Sequence, residues 1–189
     1  MSKRLLVILA VIAAGFLGLA VLVKSPSPRQ SSAVLTAMVG KTAPDFNLPD
    51  QTGQTVSLNS LRGKKVVLFF NEGITCYPAC WNQMAALATD AALNGGGVVS
   101  LSVVVDKPSQ WTEAFKQMPD LAKGRILFDT SKEVSGRYGM LSLPSSMHRG
   151  MAPGHTYVLI DQKGVVRDIK DNPPMTVIND QIKKDLEKM

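Results

Sequence analysis

Cysteine and histidine are scarce in this chain: each occurs twice in 189 residues. Two cysteines exclude a paired C-x-x-C zinc site and a multi-disulfide scaffold. No G-x-x-x-x-G-K loop is present to cradle a phosphate, and no Ser/His/Asp arrangement points to acyl transfer. Aromatic residues make up only 6% of the chain and are not interleaved with basic clusters, so a nucleic-acid-binding face is not expected. Internal repeats and long low-complexity tracts are missing too. The formal charge of +6 is concentrated at the start: Lys3, Arg4, Lys24 and Arg29 occur before residue 31 with no acid among them. The remaining 17 basic and 15 acidic residues nearly balance, so the basic character does not argue for a polyanionic partner.

One long uncharged stretch is present. Residues 5–23 are 19 consecutive uncharged, mostly apolar residues, flanked by Lys3 and Arg4 before and Lys24 after. As a helix rising about 1.5 Å per residue, the run would cover a hydrocarbon core of roughly 30 Å. The expectation is a single transmembrane helix over residues 1–24, with the rest of the chain on the extracytoplasmic side. The alternative is a cleaved signal peptide, for which Gly18-Leu19-Ala20 offers a small-x-small site. The run continues three apolar residues beyond that site, which favours the anchor. Residues 25–38 are Ser- and Pro-rich at their start and read as a flexible tether. A compact domain is expected over residues 39–189.

Within the domain the pattern is α/β. Phe46 and Leu48, a turn near Gly53, then Val56 and Leu58 in alternation predict an N-terminal hairpin. Residues 66–70 are a short apolar run, as expected of a strand covered on both faces. Met84, Leu87, Ala88 and Ala91 at helical spacing predict a helix running to the glycines at 95–97. Residues 98–106 form a second buried strand. Pro108 opens a helix to about Gln117, and residues 125–129 are a short strand. A hairpin spans residues 155–169, and an amphipathic helix closes the chain over residues 175–188. This order predicts a mixed central sheet.

Both cysteines, Cys76 and Cys80, lie where the 66–70 strand hands over to a helix. Strand ends of this kind collect reactive groups in α/β sheets. A helix N-terminus stabilises a thiolate. Pro78 suits the first helical turn. At i and i+4 on a helix the two Cα atoms would lie about 6 Å apart, within disulfide range. Closing so short a loop removes little chain entropy, so the pair reads as reactive rather than as a staple. Glu72, the one acid in this stretch, reads as a loop cap. Trp81 is expected to shield the cysteines and pack on the sheet.

The stretch "GKTAPDFNLPDQTGQTVSLNSLRGKKVVLFFN" resembles the opening of the redoxin group of thioredoxin-like proteins, including peroxiredoxins of the alkyl hydroperoxide reductase/thiol-specific antioxidant type. "HTYVLIDQKGVVRDI" is similar to the same group's hairpin. The resemblance implies a thioredoxin-like fold and cofactor-free redox chemistry. The substrate would be a peroxide or a protein thiol or disulfide, and a thiol reductant would restore the pair. With one inserted residue, Cys80 matches the peroxide-attacking cysteine and Cys76 becomes the resolving one. The threonine of that motif falls at Tyr77, and the arginine usually found six residues before the hairpin aspartate is His155. Thr75 or Arg149 is available as a substitute donor. In thioredoxin-like disulfide exchangers the roles would swap, with Cys76 as nucleophile. The C-x-x-x-C spacing also resembles Sco-type copper chaperones, which implies copper held by Cys76, Cys80 and His155. Met147, His148 and Met151 lie in the segment before His155. The methionines are read there as packing residues of a flexible loop.

Overall fold

The computed structural model describes residues 35–189. Residues 35–38 are helical, and Leu35 and Met38 pack on the core. Two short strands, β1 (Asn47–Pro49) and β2 (Thr55–Ser57), pair as the expected antiparallel hairpin. The central sheet contains β3 (Lys65–Phe70), β4 (Val98–Val104), β5 (Ile126–Phe128), β6 (Thr156–Ile160) and β7 (Val166–Asp171). Its order is β5-β4-β3-β6-β7. β3, β4 and β5 run parallel, while β6 and β7 are antiparallel to their neighbours. The helices are α1 (Ala79–Thr89), α2 (Thr112–Gln117), α3 (Glu133–Arg137) and α4 (Asn179–Glu187). The architecture is the mixed, thioredoxin-like α/β sheet that the sequence predicts.

β3 lies at the centre because both of its faces are apolar. Residues on a strand alternate between faces. Val66, Leu68 and Phe70 pack with Phe46, Leu48, Val56 and Val158 on one side. Val67 and Phe69 pack with Trp81, Met84, Leu87, Trp111, Tyr157 and Ile182 on the other. None of Val67, Leu68, Phe69 and Phe70 has any exposed surface. Truncating one of them to alanine would cost about 2–5 kcal/mol. The cysteine loop leaves this anchored strand, which fixes the origin of the site.

Two helix boundaries differ from the sequence pattern. α1 stops at Thr89 instead of running to the glycines. Asp90 Oδ1 accepts the Ala92 N–H at 3.0 Å, and the other Asp90 oxygen pairs with Lys183 at 3.2 Å. α4 starts at Asn179, because the Ile178 N–H is taken by Gln83 Oε1 at 2.9 Å and Asn179 Nδ2 donates to Ala86 O at 2.9 Å. Helical periodicity continues past both points. Contacts between α1 and α4 decide where each helix ends.

The membrane expectation requires correction. Among the described residues no helix is long and apolar enough to cross a membrane. The longest, α1, has 11 residues, about 16 Å against a core of roughly 30 Å. Residues 5–23, which motivated the anchor, lie outside the described residues. A count of apolar residues measures capacity to span and carries no information on where a domain resides. The single-pass anchor, the extracytoplasmic placement and the membrane as a partner are therefore withdrawn.

Candidate active site

After β3 the chain turns through Asn71, whose Oδ1 accepts the Gly73 N–H at 2.9 Å. Gly73–Thr75 form one 3-10 turn, and Cys76 N donates to Gly73 O at 3.1 Å. Pro78 caps α1, and Cys80 is its second residue, with its N–H on Cys76 O at 2.9 Å. The two sulfurs are bonded at 2.04 Å, with Cα atoms 5.3 Å apart. The two cysteines thus form an intact disulfide at the N-terminus of α1. Both residues are nearly enclosed: Cys76 retains 4% exposure and Cys80 none.

His155 immediately precedes β6, and pairing of Phe70 with Thr156 brings it level with the end of β3. Its Nδ1 lies 3.6 Å from Cys80 Sγ, and its Nε2 lies 2.9 Å from the Tyr157 hydroxyl. Phe69 meets the imidazole edge-on at 4.6 Å and stacks on Tyr157 at 4.7 Å. Both side chains are fully buried. Burial pushes His155 down to about 4, so the imidazole is neutral near neutral pH. Burial likewise pushes the Tyr157 phenol up.

The other residues expected at the site divide. Trp81 is 4% exposed and donates from Nε1 to Gly73 O at 3.3 Å, closing one side of the cysteine turn. Tyr77 is exposed and packs on Trp81 with ring centres 5.0 Å apart. Thr75 Oγ1 donates to Glu72 O at 3.0 Å, so its hydroxyl supports the turn. Arg149 donates to Pro144 O at 3.4 Å on an exposed loop. Met147 and Met151 are exposed on that same loop, whereas the sequence pointed to packing.

Three residues outside the expected site set bear on it. Glu72 is buried, and its Oε1 accepts the N–H groups of Met147 and His148 and the Ser146 hydroxyl. Its role is the loop cap, applied to a loop 75 residues away in the chain. Asp106, just past β4, accepts the Ile74 N–H at 3.0 Å, and burial raises its pKa. Tyr157 sits two residues after His155. Side chains alternate along a strand, so their shared face was legible.

Residues 39–169 match the AhpC/TSA family, more than half of the chain. The chain belongs to that family. Peroxiredoxin Q, chloroplastic, from Triticum aestivum is 30% identical over 154 residues, covering 78% of this chain and 68% of the relative. Peroxiredoxin Bcp from Escherichia coli K12 is 29% identical over 136 residues, covering 70% and 85%. Among solved structures, a reduced 2-Cys peroxiredoxin of Plasmodium vivax superposes with a TM-score of 0.64 at 27% identity, over 79% and 80% of the two chains. Peroxidoxin BcpB from Mycobacterium tuberculosis shares the fold, with a TM-score of 0.64 at 21% identity over 80% and 97%.

These relatives establish an AhpC/TSA, peroxiredoxin-like protein. They do not favour the Sco-type copper reading. The ligand atoms of Cys76, Cys80 and His155 do lie within 4.8 Å of one another. However, the sulfurs are spent on each other in the disulfide. The relatives bear the names of peroxiredoxins, and one group is chloroplastic, so they lend the membrane localisation no support.

Proposed function

We propose that the unit over residues 39–189 is a thiol peroxidase in which Cys80 attacks and Cys76 resolves. The Cys80 thiolate attacks one peroxide oxygen, an S–O bond forms and the O–O bond breaks. The departing oxygen takes a proton and leaves as alcohol or water. Cys80 is then a sulfenic acid. The Cys76 thiolate attacks that sulfur, hydroxide leaves as water and the disulfide forms. A dithiol reductant supplies two electrons, becomes a disulfide itself and restores both thiols.

The observation that carries this reading is the disulfide itself, closed at a helix N-terminus with a buried imidazole on the Cys80 sulfur. The helix end lowers the thiol pKa, which favours the nucleophilic thiolate. The test is loss of thiol from the reduced protein after addition of hydrogen peroxide. The reading expects a second-order rate well above that of free cysteine. A rate no faster than free cysteine overturns it.

A second reading is supported by a different observation. Cys76 is the cysteine with residual exposure, so an external thiol or disulfide approaches from its side. In thiol–disulfide exchange Cys76 would be the nucleophile and Cys80 the leaving thiolate. Cys80→Ser separates the two: exchange still traps a mixed disulfide on Cys76, whereas peroxide reduction is lost.

A further inference from the structure

Behind Cys80 lies a chain of buried polar groups whose hydrogen bonds have a direction. It runs from Tyr157 to His155, and the His155 backbone is braced by Asn172, which is buried just past β7. The Asn172 backbone N–H donates to His155 O at 2.9 Å. Its side-chain nitrogen donates to Thr176 O at 2.9 Å, which fixes the amide's orientation. The Tyr157 phenol is fully buried, and that burial pushes its pKa up, so the phenol keeps its proton.

A buried phenol proton left without an acceptor is costly. Within reach is His155 Nε2, 2.9 Å away. Nε2 is then an acceptor, and a neutral imidazole with an accepting Nε2 carries its proton on Nδ1. Nδ1 is the atom that faces Cys80 Sγ at 3.6 Å.

Resting on the thiol-redox reading above, we infer that Tyr157 and His155 form a one-way chain that locks the imidazole proton on Nδ1, and that this neutral N–H stabilises the Cys80 thiolate once the disulfide opens. His155 is then a catalytic residue, since it touches the reacting sulfur. Tyr157 is a positioning residue that acts through it. The proton released by Cys80 goes to solvent, and the imidazole neither gains nor loses one.

The arrangement occupies the position where the family resemblance leads one to expect an arginine. A guanidinium would place a fixed charge against Phe69 and Tyr157, and a charge buried there needs a paired partner in every redox state. A neutral donor meets that need only when the thiolate appears. With the disulfide closed it leaves no charge in the pocket.

The test uses the full-length chain carrying Cys76→Ser, reduced, with His148→Gln so that the remaining histidine signal belongs to His155. Nitrogen NMR of the ring reports the tautomer, and ultraviolet thiolate absorbance at neutral pH reports the Cys80 thiolate. The expected result is a proton on Nδ1 and a substantial thiolate fraction. Tyr157→Phe removes the lock. It should shift the proton toward Nε2 and lower Cys80 alkylation about tenfold, equivalent to about one pKa unit. Should Tyr157→Phe fold poorly, the ring-nitrogen shifts of His155 in the Cys76→Ser background decide the tautomer alone. A proton already on Nε2 in the Cys76→Ser background overturns the inference, as does thiolate absorbance unchanged by Tyr157→Phe. Neither readout involves peroxide. If peroxide fails to react while the tautomer and thiolate behave as stated, the peroxidase reading falls alone.

Discussion

A β-carbon on Gly73 would lie 1.8 Å from Oδ2 of Asp106. The same oxygen accepts the Ile74 N–H, and Gly73 adopts φ of +64°. From the other side the Gly73 carbonyl accepts Trp81 Nε1 and the Cys76 N–H. The turn that delivers Cys76 is therefore held between a strand-end carboxyl and a helix indole. Only glycine supplies both the backbone angle and the clearance.

Gly73→Ala should destabilise the fold by about 2–4 kcal/mol, since it combines a left-handed backbone angle with a clash. Urea unfolding measures the loss. Adding Asp106→Ala removes the clash but not the backbone strain, so the double variant should recover part of it. Strictly additive losses in that double-mutant cycle would mean the two residues do not press on each other.

Glu72 ties the active-site turn to residues 146–148 through a single oxygen with three donors. Glu72→Ala leaves the Met147 N–H without its acceptor, while Ser146 keeps the Ala152 carbonyl and His148 the Ser146 oxygen, and should cost about 1–3 kcal/mol. The effect should be local first. Amide exchange at Met147 and His148 should rise by more than exchange in β3, and equal rises in both places would contradict a specific latch.

His155 is buried neutral, with its pKa down to about 4 from an ordinary value near 6.5. Between those two pH values the unfolded chain binds a proton that the folded chain does not. Stability should therefore fall as pH drops through that window, by about 1.4 kcal/mol per pH unit and about 3 kcal/mol in all. Asp106, whose pKa burial raises, works in the opposite direction at the acid end of the window. Urea unfolding across this range should show the slope in the native chain and lose most of it in His155→Phe.

The single-cysteine variants assign the sulfurs. In Cys76→Ser, peroxide should leave a sulfenic acid on Cys80 that a carbon nucleophile such as dimedone traps. In Cys80→Ser, no comparable product should form on Cys76. Mass spectrometry of the labelled peptide reads the result, and a label confined to Cys76 would reverse the roles. Loss of the disulfide should cost stability by only about 2 kcal/mol, because the closed loop is short.

Much of this architecture was legible as pattern. The apolar run at residues 66–70 marked the central strand, the hairpins were marked by alternation around glycine turns, and the i, i+4 cysteines marked the site. His155 was found through its place before a recognisable hairpin. The missed parts depend on tertiary contacts. Nothing in the sequence shows that Asp106 is partly buried, or that Glu72 reaches a loop 75 positions away. The end of α1 is decided by Asp90 and Lys183 rather than by its own residues. The membrane expectation failed differently, because apolar length was asked to report location.

Cys80 and His155 are 75 positions apart in the chain but meet where α1 begins beside the start of β6. Their separation is thus governed by the pairing of β3 with β6 and by the short turn that carries the chain from the end of β3 into α1. Changes confined to the exposed turn at residues 95–97 alter the periphery and leave the sulfur and the imidazole at the same spacing. The chain can vary its outer surface, and with it its choice of partners, while keeping the reacting atoms where they are.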